Sequence, residues 1–183
     1  MQFVDKICTL WIKNIIFMKT LIYILAALFL VSCENTQLAE EQYISLYSGP
    51  WEYWPIETVN VPLADEIRFF VNDHRESKGL SSLAKGSSLS SALAGRHCNY
   101  MIYSGQLSHD GFDERAETLG NLGIEAVGEN VAFGYEDAHD VVVAWFNSAE
   151  HRNTMEGNYT HVGIGIIKDV LGTTYVTAIF YRD

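Results

Sequence analysis

Basic residues are scarce in this chain. Lysine and arginine together number 12 against 23 aspartates and glutamates, which gives a net charge of −11 over 183 residues. A protein that binds nucleic acid neutralises phosphates with clustered lysine and arginine side chains. The composition therefore argues against nucleic acid as a partner. At about 100 to 200 residues per domain, the length allows one ordinary domain and little else.

Long apolar runs are also missing. The run at residues 21–31 has 11 apolar residues, follows Lys19, and leads into the sequence Leu-Val-Ser-Cys at residues 30–33. It is too short to cross roughly 30 Å of hydrocarbon, whereas a positive flank before a short apolar core is typical of a signal peptide. The four residues at its end resemble the lipobox of bacterial lipoproteins. We therefore interpret residues 1–32 as a lipoprotein signal peptide. An ordinary signal peptide followed by an incidental cysteine is the alternative.

Cysteines are few, and each has a separate fate in this interpretation. Cys8 leaves with the leader, and Cys33 becomes the lipidated N-terminus that attaches the protein to a membrane through its acyl chains. Cys98 then remains as the single ordinary thiol, so no internal disulfide can form. It lies in a helical apolar pattern, which predicts a buried and unreactive side chain.

The segment after the leader differs in composition from the remainder of the chain. Residues 33–58 contain five glutamates and no basic residue, and Pro50 and Pro55 disfavour a helix there. We interpret these residues as an acidic, aromatic-containing tether. Residues 59–183 would then form the one folded domain.

The patterns within this domain predict helices first and strands late. A helix follows Pro62 and ends near Gly79, a second helix is opened by the serine-rich stretch at residues 87–91, and Asp137 caps a third helix. Residues 104–123 look mainly like loop, with a short helix near Arg115. The strands are predicted at residues 127–133, 162–166 and 175–181, the last two as an antiparallel hairpin. This order favours an α+β fold over a doubly wound sheet.

Standard catalytic and binding signatures are absent from the sequence. It has no glycine-rich phosphate loop, no His-Glu-x-x-His, no cysteine pair at metal spacing and no Gly-x-Ser-x-Gly. What remains is a set of polar residues in segments that look like loops or strand edges, chiefly His109, Glu129 and His151. Two imidazoles and a carboxylate can hold a divalent metal with open positions, or act as a base and its orienting partner. Because 20 and 22 residues separate them, only the fold can bring them together.

The order of several short motifs resembles the bacterial SCP-domain branch of the CAP superfamily, which contains cysteine-rich secretory, venom-allergen and plant pathogenesis-related proteins. The resemblance covers about residues 62–183. The motifs are Val71-Asn72 through Arg75 to Gly79-Leu80, then Leu89, Ala92, His97 and Met101, Leu107-Ser108-His109, Gly128-Glu129-Asn130-Val131-Ala132, Trp145 with Ser148 and His151-Arg152, Tyr159-Thr160 before Val162-Gly163-Ile164-Gly165, and Tyr175 to Phe180.

This resemblance implies an α-β-α sandwich with a central antiparallel sheet and a cleft lined by two histidines and two acids. His109 matches the first histidine and Glu129 one of the acids. We assign the second histidine to His151, as in bacterial members, although the animal and plant pattern would place it at Asn158. The other acid falls near Ser148, a hydroxyl here, which removes one charge from any four-residue metal or acid–base mechanism.

Three functions remain open at this point. The leading expectation is a membrane-anchored, extracytoplasmic lipoprotein whose cleft binds a lipid-like or cell-envelope ligand, with a divalent cation such as zinc as a candidate cofactor. The alternative is a metal-dependent hydrolase in which His109 and His151 hold the metal and Glu129 is the general base for a bound water. The third is a purely structural envelope protein. The lack of a nucleophile with its base and orienting group favours binding over fast catalysis.

Overall fold

The computed structural model of the protein describes residues 61–183. The predicted leader, the lipidation site at Cys33 and the tether lie outside the described residues. Within them no helix is long and apolar enough to span a bilayer. The elements in chain order are α1 (Val61–Ser77), β1 (Ala84–Lys85), α2 (Ser88–Ser104), α3 (Phe112–Gly120), β2 (Ala126–Phe133), α4 (Ala138–Asn147), α5 (Ala149–Met155), β3 (His161–Lys168) and β4 (Thr174–Arg182).

The strands form one sheet in the order β1-β3-β4-β2. β3 and β4 are an antiparallel hairpin with Gly165 opposite Thr177, and β2 runs antiparallel to β4 with Glu129 opposite Ile179. The predicted hairpin is therefore confirmed. The sheet is mixed and not wholly antiparallel, because the two-residue strand β1 pairs in parallel with the start of β3. β2 forms the opposite edge.

Helices cover both faces of the sheet, which confirms the predicted α+β sandwich. Alternate residues of a strand point to opposite faces. On one face Val162 and Ile164 of β3, with Phe180 of β4, pack against α1, α4 and α5 around Trp145. On the other face Ile179 packs against α2 and α3.

The helix α2 lies unusually close to β3. A Cβ built on Gly165 would lie 2.1 Å from the backbone nitrogen of Gly95, and one built on Gly163 would lie 2.2 Å from Ser90 Oγ. The valine–glycine–isoleucine–glycine alternation of β3 thus has a simple cause, since its glycines face the helix and its branched residues face the other layer. Cys98 is fully buried at the same contact, as predicted, and its Sγ donates to the carbonyl of Gly165 at 3.3 Å.

A buried arginine joins the end of α1 to the segment between α5 and β3. The guanidinium of Arg75 donates to the carbonyls of Ser81 at 2.9 Å, Met155 at 2.7 Å, Gly157 at 2.8 Å and Tyr159 at 3.4 Å. Burial lowers the pKa of Arg75 from its usual value, and the carbonyl dipoles replace part of the hydration that it loses. This contact fixes the C-terminal end of α5.

Replacing Gly165 with alanine should destabilise the domain by about 1–3 kcal/mol or more, because the new methyl group meets helix backbone that cannot rotate away. Chemical denaturation measures this change in the free energy of unfolding. Gly120→Ala is the matched control, because a Cβ there meets no atom within 4 Å. It should be neutral or slightly stabilising. Equal losses in both variants would contradict the close packing of α2 on β3.

Candidate functional site

Consecutive side chains of the edge strand β2 point to opposite faces of the sheet. Glu129 faces α2 and α3, where it pairs with Arg115 of α3. Asn130 points the other way, toward α5, and its Nδ2 donates to the carbonyl of His151 at 2.9 Å. The two polar residues of this strand therefore connect the loop and helix on one face to the helix on the other.

Glu129 is the centre of the site, with only 1% of its side chain exposed. Arg115 holds it with two bonds, from Nε to Oε2 and from Nη2 to Oε1, each 2.8 Å long. His109 Nδ1 donates to Oε1 at 2.9 Å. A bidentate arginine and an additional charge-assisted hydrogen bond are what a buried carboxylate needs to offset its desolvation. The sequence-predicted residues His109 and Glu129 are thus in direct contact.

Opposing effects set the ionisation of Glu129. Burial alone raises the pKa of its carboxyl, but the hydrogen bonds from His109 and Arg115, together with the Arg115 charge, outweigh burial and lower the pKa below 4.5. The carboxylate is therefore charged at neutral pH. Since both oxygens accept strong bonds, Glu129 is a poor base for a bound water.

His97 of α2 closes the inner side of this network. Its side chain is fully buried, its Nε2 donates to the carbonyl of Ser108 at 2.7 Å, and the same nitrogen lies 3.8 Å from Glu129 Oε1. Burial, and next the charge of Arg115, lower the pKa of His97 below 6.5, so its imidazole is neutral at pH 7. The contact with Ser108 fixes the loop that carries His109.

His151 lies on α5, although the sequence analysis placed it in a loop-like segment. Ser148, the hydroxyl at the position of the missing acid, is the N-cap of this helix, and its Oγ accepts from His151 N at 3.5 Å. Burial, and next the charge of His109, lower the pKa of His151. The His151 imidazole is thus neutral at pH 7 and lies close enough to His109 to interact electrostatically.

His109 presents the accessible end of the network. Its side chain is 48% exposed, and with Nδ1 bonded to Glu129 its Nε2 remains for a ligand. Asn158, the alternative position for the second histidine, is exposed and forms no part of this network among the described contacts. The structure therefore brings together His109, Glu129, His97 and Arg115, with His151 adjacent on α5.

These residues do not form a closed metal site. In the described part of the chain, the only three potential ligands whose donor atoms all lie within 4.8 Å of one another are Asp137, His139 and Asp140, all of them exposed at the start of α4. Both oxygens of Glu129 are already engaged by Arg115 and His109. Only two imidazoles remain as donors in the cleft, and two ligands are fewer than known zinc sites use.

Arg115 is the site residue whose partner sequence reasoning did not identify. Its acidic surroundings indicated an ion pair with a carboxylate, but nothing in the sequence singled out Glu129. The one available signal is that it is the only basic residue among the acids of residues 110–117. An arginine so isolated is a natural partner for a carboxylate elsewhere in the fold.

Comparison with known proteins identifies the family of the chain. The model of the CAP family, described as the cysteine-rich secretory protein family, matches residues 69–180. The chain therefore belongs to the CAP family.

Sequence relatives and solved structures extend this assignment. Two uncharacterised Bacillus subtilis proteins are similar to part of the chain. YkwD is 34% identical over 67 residues, which are 31% of this chain and 26% of YkwD. The membrane protein YlbC is 38% identical over 48 residues, which are 26% of this chain and 14% of YlbC. These matches span about a quarter or less of each relative.

An extracellular SCP-domain protein from Bacillus anthracis has a similar structure, with a TM-score of 0.60 and 25% identity over 74% of this chain and 45% of that one. An outer surface protein from Borrelia burgdorferi gives a TM-score of 0.58 and 15% identity over 65% of this chain and 91% of that one. A cysteine-rich secretory protein from Staphylococcus aureus gives a TM-score of 0.54 and 22% identity over 70% of this chain and 41% of that one. At these low identities the latter two show a shared fold.

Glu129→Gln should lower the free energy of unfolding at pH 7 by about 3–5 kcal/mol, because it leaves the Arg115 charge without its buried partner. The matched control is Glu125→Gln on the same side of the sheet edge. The Glu125 side chain is 67% exposed and pairs with Arg182 at 3.1 Å, so its loss should cost about 1 kcal/mol or less.

The same pair of variants gives a pH signature. Because the folded-state pKa of Glu129 is lowered, its contribution to stability is complete above the unfolded value near 4.5 and is lost as pH falls through the folded pKa. The difference in the free energy of unfolding between wild type and Glu129→Gln should therefore narrow as the pH falls below about 4.5. A difference independent of pH would contradict a charged, buried Glu129.

Proposed function

We propose that this protein is an exported, lipid-anchored CAP-domain binding protein, and that its cleft at the β2 edge takes a cell-envelope ligand through His109 and His151. The observation that carries the proposal is the engagement of Glu129. Its two oxygens are occupied by Arg115 and His109, so the network orients an imidazole and leaves it facing outward. Such an arrangement is suited to holding a ligand.

Export is supported from two directions. The sequence contains a signal-peptide pattern that ends in a lipobox-like Cys33. The similar structures include proteins described as extracellular and as an outer surface protein. In this proposal residues 1–32 are the signal peptide, residues 33–58 are the tether, and residues 59–183 are the binding domain held near a membrane.

The chemistry of the cleft supports binding over hydrolysis. A general base works best when its pKa lies near the working pH, whereas the pKa of Glu129 is lowered by its two partners. The hydroxyl of Ser148 caps α5. The Cys98 thiol is fully buried, and burial raises its pKa to about 12. None of these groups is an activated nucleophile.

One observation favours the metal-dependent alternative. His109 donates its Nδ1 hydrogen to a carboxylate, as metal-binding histidines commonly do with the nitrogen that does not touch the metal. His151 is neutral at pH 7, the form that binds metals. A divalent ion such as zinc would then need at least one further ligand from outside the described residues or from the bound molecule.

Alanine variants of the two histidines separate these functions. The full chain, purified without chelator, is analysed for metal and for copurified small molecules by mass spectrometry. We expect a bound envelope-derived molecule that is lost or at least tenfold depleted in His109→Ala and in His151→Ala. His161→Ala is the control, because that histidine lies on β3, pairs with Asp183, and belongs neither to the cleft nor to the group of Asp137, His139 and Asp140. Stoichiometric zinc lost in both cleft variants would instead support the hydrolase, and unchanged contents in every variant would overturn the cleft proposal.

The anchor has its own test. Cells that express Cys33→Ser should incorporate no labelled palmitate into the protein and should release it from the membrane fraction, because acyl chains supply the membrane affinity. Cys8→Ser, a cysteine inside the proposed leader, is the matched control and should remain labelled. Equal labelling of both variants, or labelling of neither wild type nor control, would show that Cys33 is not lipidated.

A further inference from the structure

A concave site lies at the opposite edge of the sheet from the His109 network. It is a pocket of about 190 Å³ between the beginnings of α1 and α2, with Val162 and Ile164 of β3 as its apolar wall. β4 and β3 separate this edge from β2. No residue of the His109 network lines the pocket, so its role is independent of the cleft.

Two cationic side chains line this pocket, Arg68 from α1 and Lys85 from β1. In the described residues each has an ion pair with the same oxygen of Asp65, at 3.4 Å for Arg68 Nη2 and 3.9 Å for Lys85 Nζ. These are long contacts, and a single carboxylate faces two positive charges. The pocket therefore carries a net positive charge, although the chain as a whole is strongly acidic.

A hydrogen-bond donor in this group is left unused. Arg68 Nε is buried and has no partner among the described residues. Buried donors are rarely left unsatisfied in folded proteins, since each costs about 1–3 kcal/mol. This atom has almost no accessible surface, so the pocket contacts Arg68 through the rest of its side chain, which is 30% exposed.

Hydroxyl groups and a helix terminus complete the lining. The side chains of Ser88 and Ser91 line the pocket, and Ser87 caps α2 by accepting from Ser90 N at 3.1 Å. α2 is 17 residues long, so the positive end of its dipole adds to the field of the two cations.

We propose that this pocket binds the phosphate group of a small envelope molecule or lipid headgroup. Two separate cations and two hydroxyls, with the helix terminus, offer more donors than the two oxygens of a carboxylate can use, whereas a phosphate offers three or more acceptor oxygens. The volume of about 190 Å³ equals roughly six water molecules at about 30 Å³ each. It suits a phosphate with a few attached atoms.

Titration of the full chain with inorganic phosphate and with glycerol 3-phosphate, followed by amide chemical shifts of residues 86–91, tests this site. We expect saturable shifts in wild type, with affinity at least tenfold lower in Arg68→Gln and in Lys85→Gln. Lys78→Gln is the control for Lys85→Gln, because Lys78 is exposed at the end of α1 and does not line the pocket. His109→Ala should bind phosphate like wild type, which separates this site from the proposed cleft.

Asp65→Asn should increase the affinity for phosphate, so this test does not depend on a loss of binding. It removes the carboxylate that opposes an anion, so phosphate should bind several-fold more tightly. Weaker or unchanged binding in this variant would overturn the charge argument. Acetate that competes as well as phosphate at equal concentration would overturn the assignment to phosphate, as would the absence of saturable shifts in wild type.

Vesicles identify the source of the phosphate. Binding of the chain to phosphatidylglycerol vesicles that is weakened in Arg68→Gln, with little affinity for soluble glycerol 3-phosphate, would assign the pocket to a lipid headgroup. The reverse preference would assign it to a soluble phosphomonoester. Arg68→Gln binding both probes as wild type does would overturn the proposal.

Discussion

The burial of one carboxylate at the edge of the sheet determines how the cleft is built. A charged group that is removed from water must recover most of its hydration energy from nearby partners. Glu129 recovers it from Arg115 of α3 and from His109 of the preceding loop. The loop that carries His109, the helix α3 and the strand β2, which follow one another along the chain, are thereby fixed to one another. The accessible imidazole is the outer end of this arrangement, and its orientation follows from the ion pair beneath it.

The fold could be predicted from the sequence where periodicity is long or a cap is distinctive. The β3–β4 hairpin, α1, and α2 with its Ser87 cap were predicted because each has several turns or alternations. α5 has only seven residues, too few for a helical stripe to stand out. The strand β1 has two residues and gains its identity only by pairing with β3. The α3 helix begins earlier than expected, at Phe112, because flanking glycines favoured a loop interpretation.

The site was predictable only in part, and for a different reason. His109 and Glu129 stood out as polar residues in loop-like segments, but only the family resemblance predicted that they share a cleft, since a separation of 20 residues says nothing about contact. The bidentate role of Arg115 could not be predicted, because any of the nearby acids was an equally plausible partner from sequence alone. Ser148 illustrates a further limit: the sequence showed only that it removes one charge from a four-residue mechanism, whereas the structure shows that its hydroxyl caps the helix that carries His151.

The missing side chains on the helix-facing side of β3 have a consequence for the whole domain. With glycine at 163 and 165, helix and strand are in contact through their backbones, and backbone has no rotamers with which to adjust. α2 is therefore held closely against the sheet. Its N-terminal end lines the Arg68 pocket, and its middle carries His97, which contacts the loop of His109. The Arg68 pocket and the His109 network, at opposite edges of the sheet, are thus connected through one helix whose contact with the strand leaves little room for adjustment.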